Sequence, residues 1–180
     1  MSKKVVAILS SYRKNGNSET LANEFIKGAK EAKNDVEVIY LRDLSFGFCR
    51  GCFACLEAKH CVLNDDATKV MEKVRNADVL CFSTPIYYYA VSGQLKTFLD
   101  RMNPIYGAGH QFKDVYLLTA SNDTDERAMD GAMKDVEGWV ECFEGVTLKG
   151  IVKGTGTNDV GDILTHKDKL EEAYQLGKNV

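Results

Sequence analysis

Four of the six cysteines lie between residues 49 and 61, as Cys49-x2-Cys52-x2-Cys55-x5-Cys61. Thiolates this close let one loop wrap a single inorganic centre, and four cysteines are the usual complement of a [4Fe–4S] cluster. Zinc on four thiolates, or on three with His60, a thiol redox couple, and cysteines without any metal are the competing chemistries. A second run, Ser10-Ser11-Tyr12-Arg13-Lys14-Asn15-Gly16-Asn17-Ser18-Glu19-Thr20, gathers hydroxyls, an amide and a guanidinium around one glycine. An anion needs several donors, and a helix starting here adds free backbone N–H groups and a favourable dipole. The run therefore predicts a phosphate site on Ser10, Arg13, Asn17 and Ser18, against the plainer reading of a polar turn capped by Ser18. It contains neither a Walker A nor a G-x-G-x-x-G pattern, so an NTP or an extended dinucleotide is not its natural guest.

The elements that must position these residues are legible as alternation. Val5 to Leu9 is an unbroken apolar run, the pattern of a strand buried on both faces. Leu21, Ala22, Phe25, Ile26, Ala29 and Ala32 then recur at helical spacing. Val36–Leu41, Val79–Phe82, Val115–Thr119 and Leu148–Val152 supply four more strands. Helical patterns follow at 67–77, with Asp65 or Asp66 as N-cap, and at 95–102, 129–143 and 170–176. Five strands alternating with five helices predict a doubly wound α/β domain spanning residues 1–180, with a five-stranded parallel sheet and helices on both faces. Two irregular stretches remain, 44–64 with the cysteines and 155–166, a glycine-containing loop, and long loops in a compact domain are more often functional than accidental. Lys153-Gly154-Thr155-Gly156-Thr157 fails the dinucleotide pattern and is read as a flexible loop. Ligands in such sheets bind beyond the carboxyl ends of the strands.

The pattern S-x-x-R-x-x-G-N-S, with Leu21 and Ala22 after it, resembles the phosphate loop of NADPH-dependent FMN reductases of the flavodoxin-like superfamily. Thr84-Pro85-Ile86-Tyr87-Tyr88-Tyr89, followed by Ser92 to Arg101, is similar to that family's flavin-ring segment. The Cys49–Asp66 region and the Gly161-Asp162-Ile163 tail are similar too, and the cysteine spacing resembles the compact motif of iron–sulfur flavoproteins. The resemblance implies sheet order 2-1-3-4-5 and FMN held by the 10–19 loop, including Tyr12 and Glu19. It also implies a ring covered by Thr84 to Tyr89, a further approach from Ser121 after the fourth strand, and NAD(P)H as co-substrate. A homodimer, and a small molecule or redox protein as electron acceptor, are also implied. The side-chain types agree, because a flavin ring suits aromatic groups beside exposed backbone N–H groups. The other reading in this lineage is an electron carrier without NAD(P)H turnover.

Composition narrows the classes. Of 180 residues 44% are hydrophobic and 27% charged; 23 Lys and Arg against 26 Asp and Glu give a net charge of −3, no footprint for nucleic acid or anionic lipid. The only early apolar run is Val5 to Leu9, too short for a leader or membrane span, so the expected compartment is the cytoplasm, where disulfides are disfavoured. Cys81 and Cys142 are expected to be buried core residues. His60, His110 and His166 lack a carboxylate or nucleophile at telling spacing, and no residue is assigned as a catalytic acid or base.

Overall fold

The computed structural model describes residues 2–180. Its strands are β1 (Lys4–Leu9), β2 (Asp35–Tyr40), β3 (Val79–Pro85), β4 (Asp114–Ala120) and β5 (Thr147–Gly154). They form one parallel sheet in the order β2-β1-β3-β4-β5. That is the order of flavodoxin-like folds, whose switch point lies between β1 and β3. The helices are α1 (Asn17–Glu31), α2 (Ala54–Ala58), α3 (Asp66–Arg75), α4 (Gly93–Arg101), α5 (Asn103–Ala108), α6 (Asp130–Glu141) and α7 (Lys167–Lys178).

Strands β1 and β3 are buried along almost their whole length because both sheet faces are covered. Val6, Ile8, Leu80 and Phe82 face the layer of α3, α4 and α6, while Val5, Ala7, Leu9, Val79 and Cys81 face α1 and α7. Helices α1 and α7 cross in backbone contact, since a Cβ at Gly177 would fall on the carbonyl of Phe25. Asp65 caps α3 by accepting from the Thr68 N–H at 3.4 Å, and Ser92 caps α4 through the Leu95 N–H at 3.3 Å. The short helices α2 and α5 were not visible as periodic patterns, being too brief to show a repeat. They pack on each other and dock the cysteine loop beside the end of α4. No helix among the described residues is long and apolar enough to cross a membrane.

Candidate functional site

The carboxyl ends of β1, β3, β4 and β5 converge on a cavity of about 190 Å³. Its wall takes Ser11, Arg13, Gly16, Asn17 and Ser18 from the first loop, Pro85 to Tyr87 from the second, and Ala120 and Asn122 from the third. Thr157 and Asn158 close it from beyond β5. A neighbouring cleft of about 230 Å³ shares Ile86 and Asn122 with it and adds Tyr88, Tyr89, Ser121 and Asp123. Together they reach the size range of small-molecule sites, roughly 300–1,000 Å³.

The phosphate end is built from backbone. Helix α1 is capped by Gly16, with no side chain satisfying its first turn, although Gly16, Asn17, Ser18 and Glu19 are all buried. A buried, uncapped helix start leaves orphan N–H groups that call for a partner, and an anion is the partner the dipole favours. Ser18 is therefore the second helical residue rather than the cap. The arrangement fits the phosphate of a mononucleotide.

Several hydroxyls that the sequence offers as ligands turn inward. Ser10 Oγ donates to the Ser83 carbonyl at 3.0 Å and accepts from Ser92 Oγ at 2.9 Å. Thr84 Oγ1 accepts from the Ser92 N–H at 2.9 Å and donates to the Pro85 carbonyl. Asn17 spends its carboxamide on Asp159 and Ile163. Glu19 is paired with Arg42, Nη1 to Oε2 at 2.6 Å, and Arg42 stacks on Tyr40 and reaches the Ser11 carbonyl. Tyr12 is exposed at the loop's crest, and Arg13 bonds the Asn158 carbonyl at 2.7 Å through Nη1.

The ring segment behaves differently. After Pro85 and Ile86 the chain makes a two-residue hairpin in which Tyr87 and Ala90 exchange backbone bonds of 3.2 and 3.1 Å. Tyr88 and Tyr89 at its tip have φ of 49° and 65°. Such turns favour Asn-Gly, so two tyrosines there are strained. Helix α6 holds them: a Cβ at Gly131 would fall on the Tyr89 carbonyl, and Asp135 accepts from the Val91 N–H at 3.3 Å. Tyr88 is fully exposed and its two neighbours about half-exposed.

All four clustered cysteines line one small cavity of about 30 Å³ beside the end of α4. The Cys55 sulfur accepts from Asn103 Nδ2 at 3.2 Å and the Cys61 sulfur from Arg101 Nη2 at 3.5 Å. Arg101 is buried, doubly bonded to Asp65, and its Nε has no partner. Among the described residues no three His, Cys, Asp or Glu side chains gather closely enough to hold a metal ion. N–H donors thus face two of the four sulfurs. Cys81 is buried as expected, and burial pushes its thiol well up. Cys142 corrects the expectation: it is exposed at the end of α6, its neighbours Val140 and Phe143 taking the core positions.

Sequence reasoning passed over Thr157 by reading 153–157 as a flexible loop, and named neither Asn158 nor Arg42. The similarity at Gly161-Asp162-Ile163 was the available signal.

The chain matches the family described as NADPH-dependent FMN reductase over residues 3–153. An iron–sulfur flavoprotein of Archaeoglobus fulgidus is 30% identical over 98% of this chain and 78% of its own. YwqN of Bacillus subtilis, which carries the name of an NAD(P)H-dependent FMN-containing oxidoreductase, is 28% identical over 97% of each chain. The solved NAD(P)H:quinone oxidoreductase of Methanothermobacter marburgensis shares the fold, with a TM-score of 0.75 over 99% of this chain and 97% of that one at 19% identity. A parallel sheet in flavodoxin order, an uncapped helix at its switch point and a match over most of the length place this chain in the NADPH-dependent FMN reductase family of flavin-dependent oxidoreductases.

Proposed function

We propose that the chain binds FMN with its phosphate at the α1 N-terminus and its ring against Pro85 to Tyr89. We further propose that it passes electrons from NAD(P)H to an acceptor, a quinone, an azo or nitro compound, free flavin or an iron–sulfur partner. The observation that carries this is the buried, uncapped start of α1 opening into the cavity that the aromatic hairpin also lines. The chemistry FMN supplies when bound is acceptance of a hydride equivalent and its release as one or two electrons. The protein's share is placement. Backbone N–H groups of the α1 first turn and the remaining Arg13 donors hold the phosphate. Ser18 adds a hydroxyl, and Ile86, Tyr87 and Ser121 border the ring. Asn17, Ser10, Thr84 and Glu19 keep these groups in place from behind.

The exposed tyrosine hairpin supports a homodimer in which a second copy covers it, and molar mass by light scattering tests that. For the reaction, FMN-loaded protein is mixed with NADPH under argon. Flavin absorbance bleaches within minutes if the reading holds; no bleaching with NADPH or NADH refutes it and leaves an electron carrier.

A second reading, an iron–sulfur flavoprotein, is favoured by the N–H donors aimed at the Cys55 and Cys61 sulfurs in the cavity that all four cysteines line. Cys49, Cys52, Cys55 and Cys61 would hold the cluster, which supplies one-electron transfer. Anaerobic purification with about four irons per chain supports it, and iron-free yellow protein refutes it.

A further inference from the structure

The stretch after β5 lies beyond residue 153, where the family match ends, yet it closes the phosphate end of the cavity with Thr157 and Asn158. It is a built element. Thr157 is buried, its N–H donating to the Ser121 carbonyl at 2.7 Å. The Asp162 carboxylate accepts from the N–H groups of Asn158 at 2.9 Å and Asp159 at 2.7 Å, winding the segment into a compact turn. Ile163 then plugs fully into the core shared with α1 and α7.

Two side chains of the phosphate loop fasten this segment. Asn17 uses both ends of its carboxamide: Nδ2 donates to the Asp159 carbonyl at 2.9 Å and Oδ1 accepts from the Ile163 N–H at 3.2 Å. Arg13 donates to the Asn158 carbonyl. Asn17, 8% exposed as a residue, is thus held at both ends of its carboxamide, with one of its two Nδ2 hydrogens committed to the segment.

We propose that residues 157–163 form a clasp, positioned by Asn17, that restricts the flavin to a mononucleotide. The inference rests on the flavin reading above and deepens it. The first phosphate meets a helix N-terminus and Arg13. A second phosphate linked to it, as in FAD, would have to pass the fastened segment. There it would meet the backbone of Thr157 and Asn158, which close that end of the cavity and are held in place by the Asp162 carboxylate and Arg13. Opening the clasp means breaking both Asn17 bonds and withdrawing Ile163 from the core.

The test is equilibrium binding of FMN, FAD and riboflavin, followed by flavin fluorescence, to wild type, Asn17→Ala and Ile163→Ala. Wild type is expected to bind FMN at least tenfold more tightly than FAD. Each variant is expected to lower the FMN-over-FAD ratio at least fivefold while riboflavin affinity stays within threefold. FMN, but not riboflavin, should protect the 155–165 segment of wild type from protease. Ile163 lies outside the cavity, so it reports on the clasp even if Asn17→Ala perturbs the helix start, and circular dichroism confirms that each variant is folded. Equal FMN and FAD affinity in wild type overturns the proposal. A parallel loss of both nucleotides with their ratio intact also overturns it, because Asn17 would then be an ordinary phosphate ligand. Wild type that binds no flavin at all refutes the underlying flavin reading instead, a result distinct from either.

Discussion

The Asp65–Arg101 pair joins the cysteine loop to α4, and its two ends differ in a way that fixes an order of effects. Arg101 is 1% exposed and donates to both Asp65 oxygens at 2.6 and 2.8 Å, to the Gly47 carbonyl and to Thr68 Oγ1. The Asp65 side chain is 22% exposed and also accepts from the N–H groups of Gly47 and Thr68. Asp65→Ala strands a buried guanidinium, which costs about 3–5 kcal/mol, and removes the α3 cap, about 1 kcal/mol more. Arg101→Met refills most of the volume and leaves a carboxylate that water and two N–H groups still satisfy, a loss of about 1–2 kcal/mol. Urea unfolding at constant m-value measures each, and the double variant should cost less than the sum because the pair is counted once. Arg101 also holds the Asp65 carboxyl below the usual carboxylate range, so the pair's contribution is present above about pH 4 and is lost as pH falls through the folded pKa. Asp65→Ala should therefore flatten the acid limb of the stability curve. Arg101→Met as damaging as Asp65→Ala, or strict additivity, would refute this account of the pair.

Other outcomes follow from the hairpin and from α4. Gly131→Ala gains helix propensity, up to about 1 kcal/mol, but drives a Cβ into the Tyr89 carbonyl; the net should be a loss of about 1–3 kcal/mol, read as a lowered Tm, with weaker FMN binding. Replacing Tyr88 by Asn and Tyr89 by Gly together relieves two positive-φ tyrosines. The flavin-free protein should gain about 1–2 kcal/mol while FMN binds more weakly, and a lowered Tm would mean the hairpin is not strained. Ser92→Ala removes the α4 cap and the bond to Ser10 Oγ, for a loss of about 1–2 kcal/mol by thermal unfolding; an unchanged Tm would show that water replaces both.

The sheet was legible because its strands are buried on both faces: Val5 to Leu9 and Val79 to Phe82 read as continuous apolar runs, and helical spacing between them forces the alternation. Strand order came with the family resemblance, since periodicity says nothing about which strand neighbours which. The cavity at the start of α1 was legible as a place but not residue by residue. A serine in this loop reads the same whether its hydroxyl faces the cavity, as Ser18 can from the first turn of α1, or the Ser83 carbonyl, as Ser10 does at the end of β1. The 157–163 segment was unreadable for a related reason, its order coming from partners such as Asn17 that lie far away in the chain. Cys142 was misjudged because its apolar neighbours Val140 and Phe143 occupy the buried side of the same helix end.

The inward hydroxyls explain how a backbone-built phosphate site stays open. Orphan N–H groups at a helix start bind an anion well only if the helix does not shift to satisfy them itself, and the buried polar groups behind α1 prevent that shift. Ser83 Oγ donates to the Ser18 carbonyl at 2.8 Å, tying the first turn of α1 to β3. Ser10 bridges the Ser83 carbonyl and Ser92, tying β1 to β3 and to the start of α4. Glu19 anchors the same turn to Arg42 beyond β2. The first turn is thus fixed to the ends of β3 and β2 before any ligand arrives, and binding need not supply the entropy of ordering it. In this chain the residues that make the phosphate loop recognisable serve largely to hold its backbone still, and the donors left free for the proposed phosphate are mostly main-chain groups that any sequence would have.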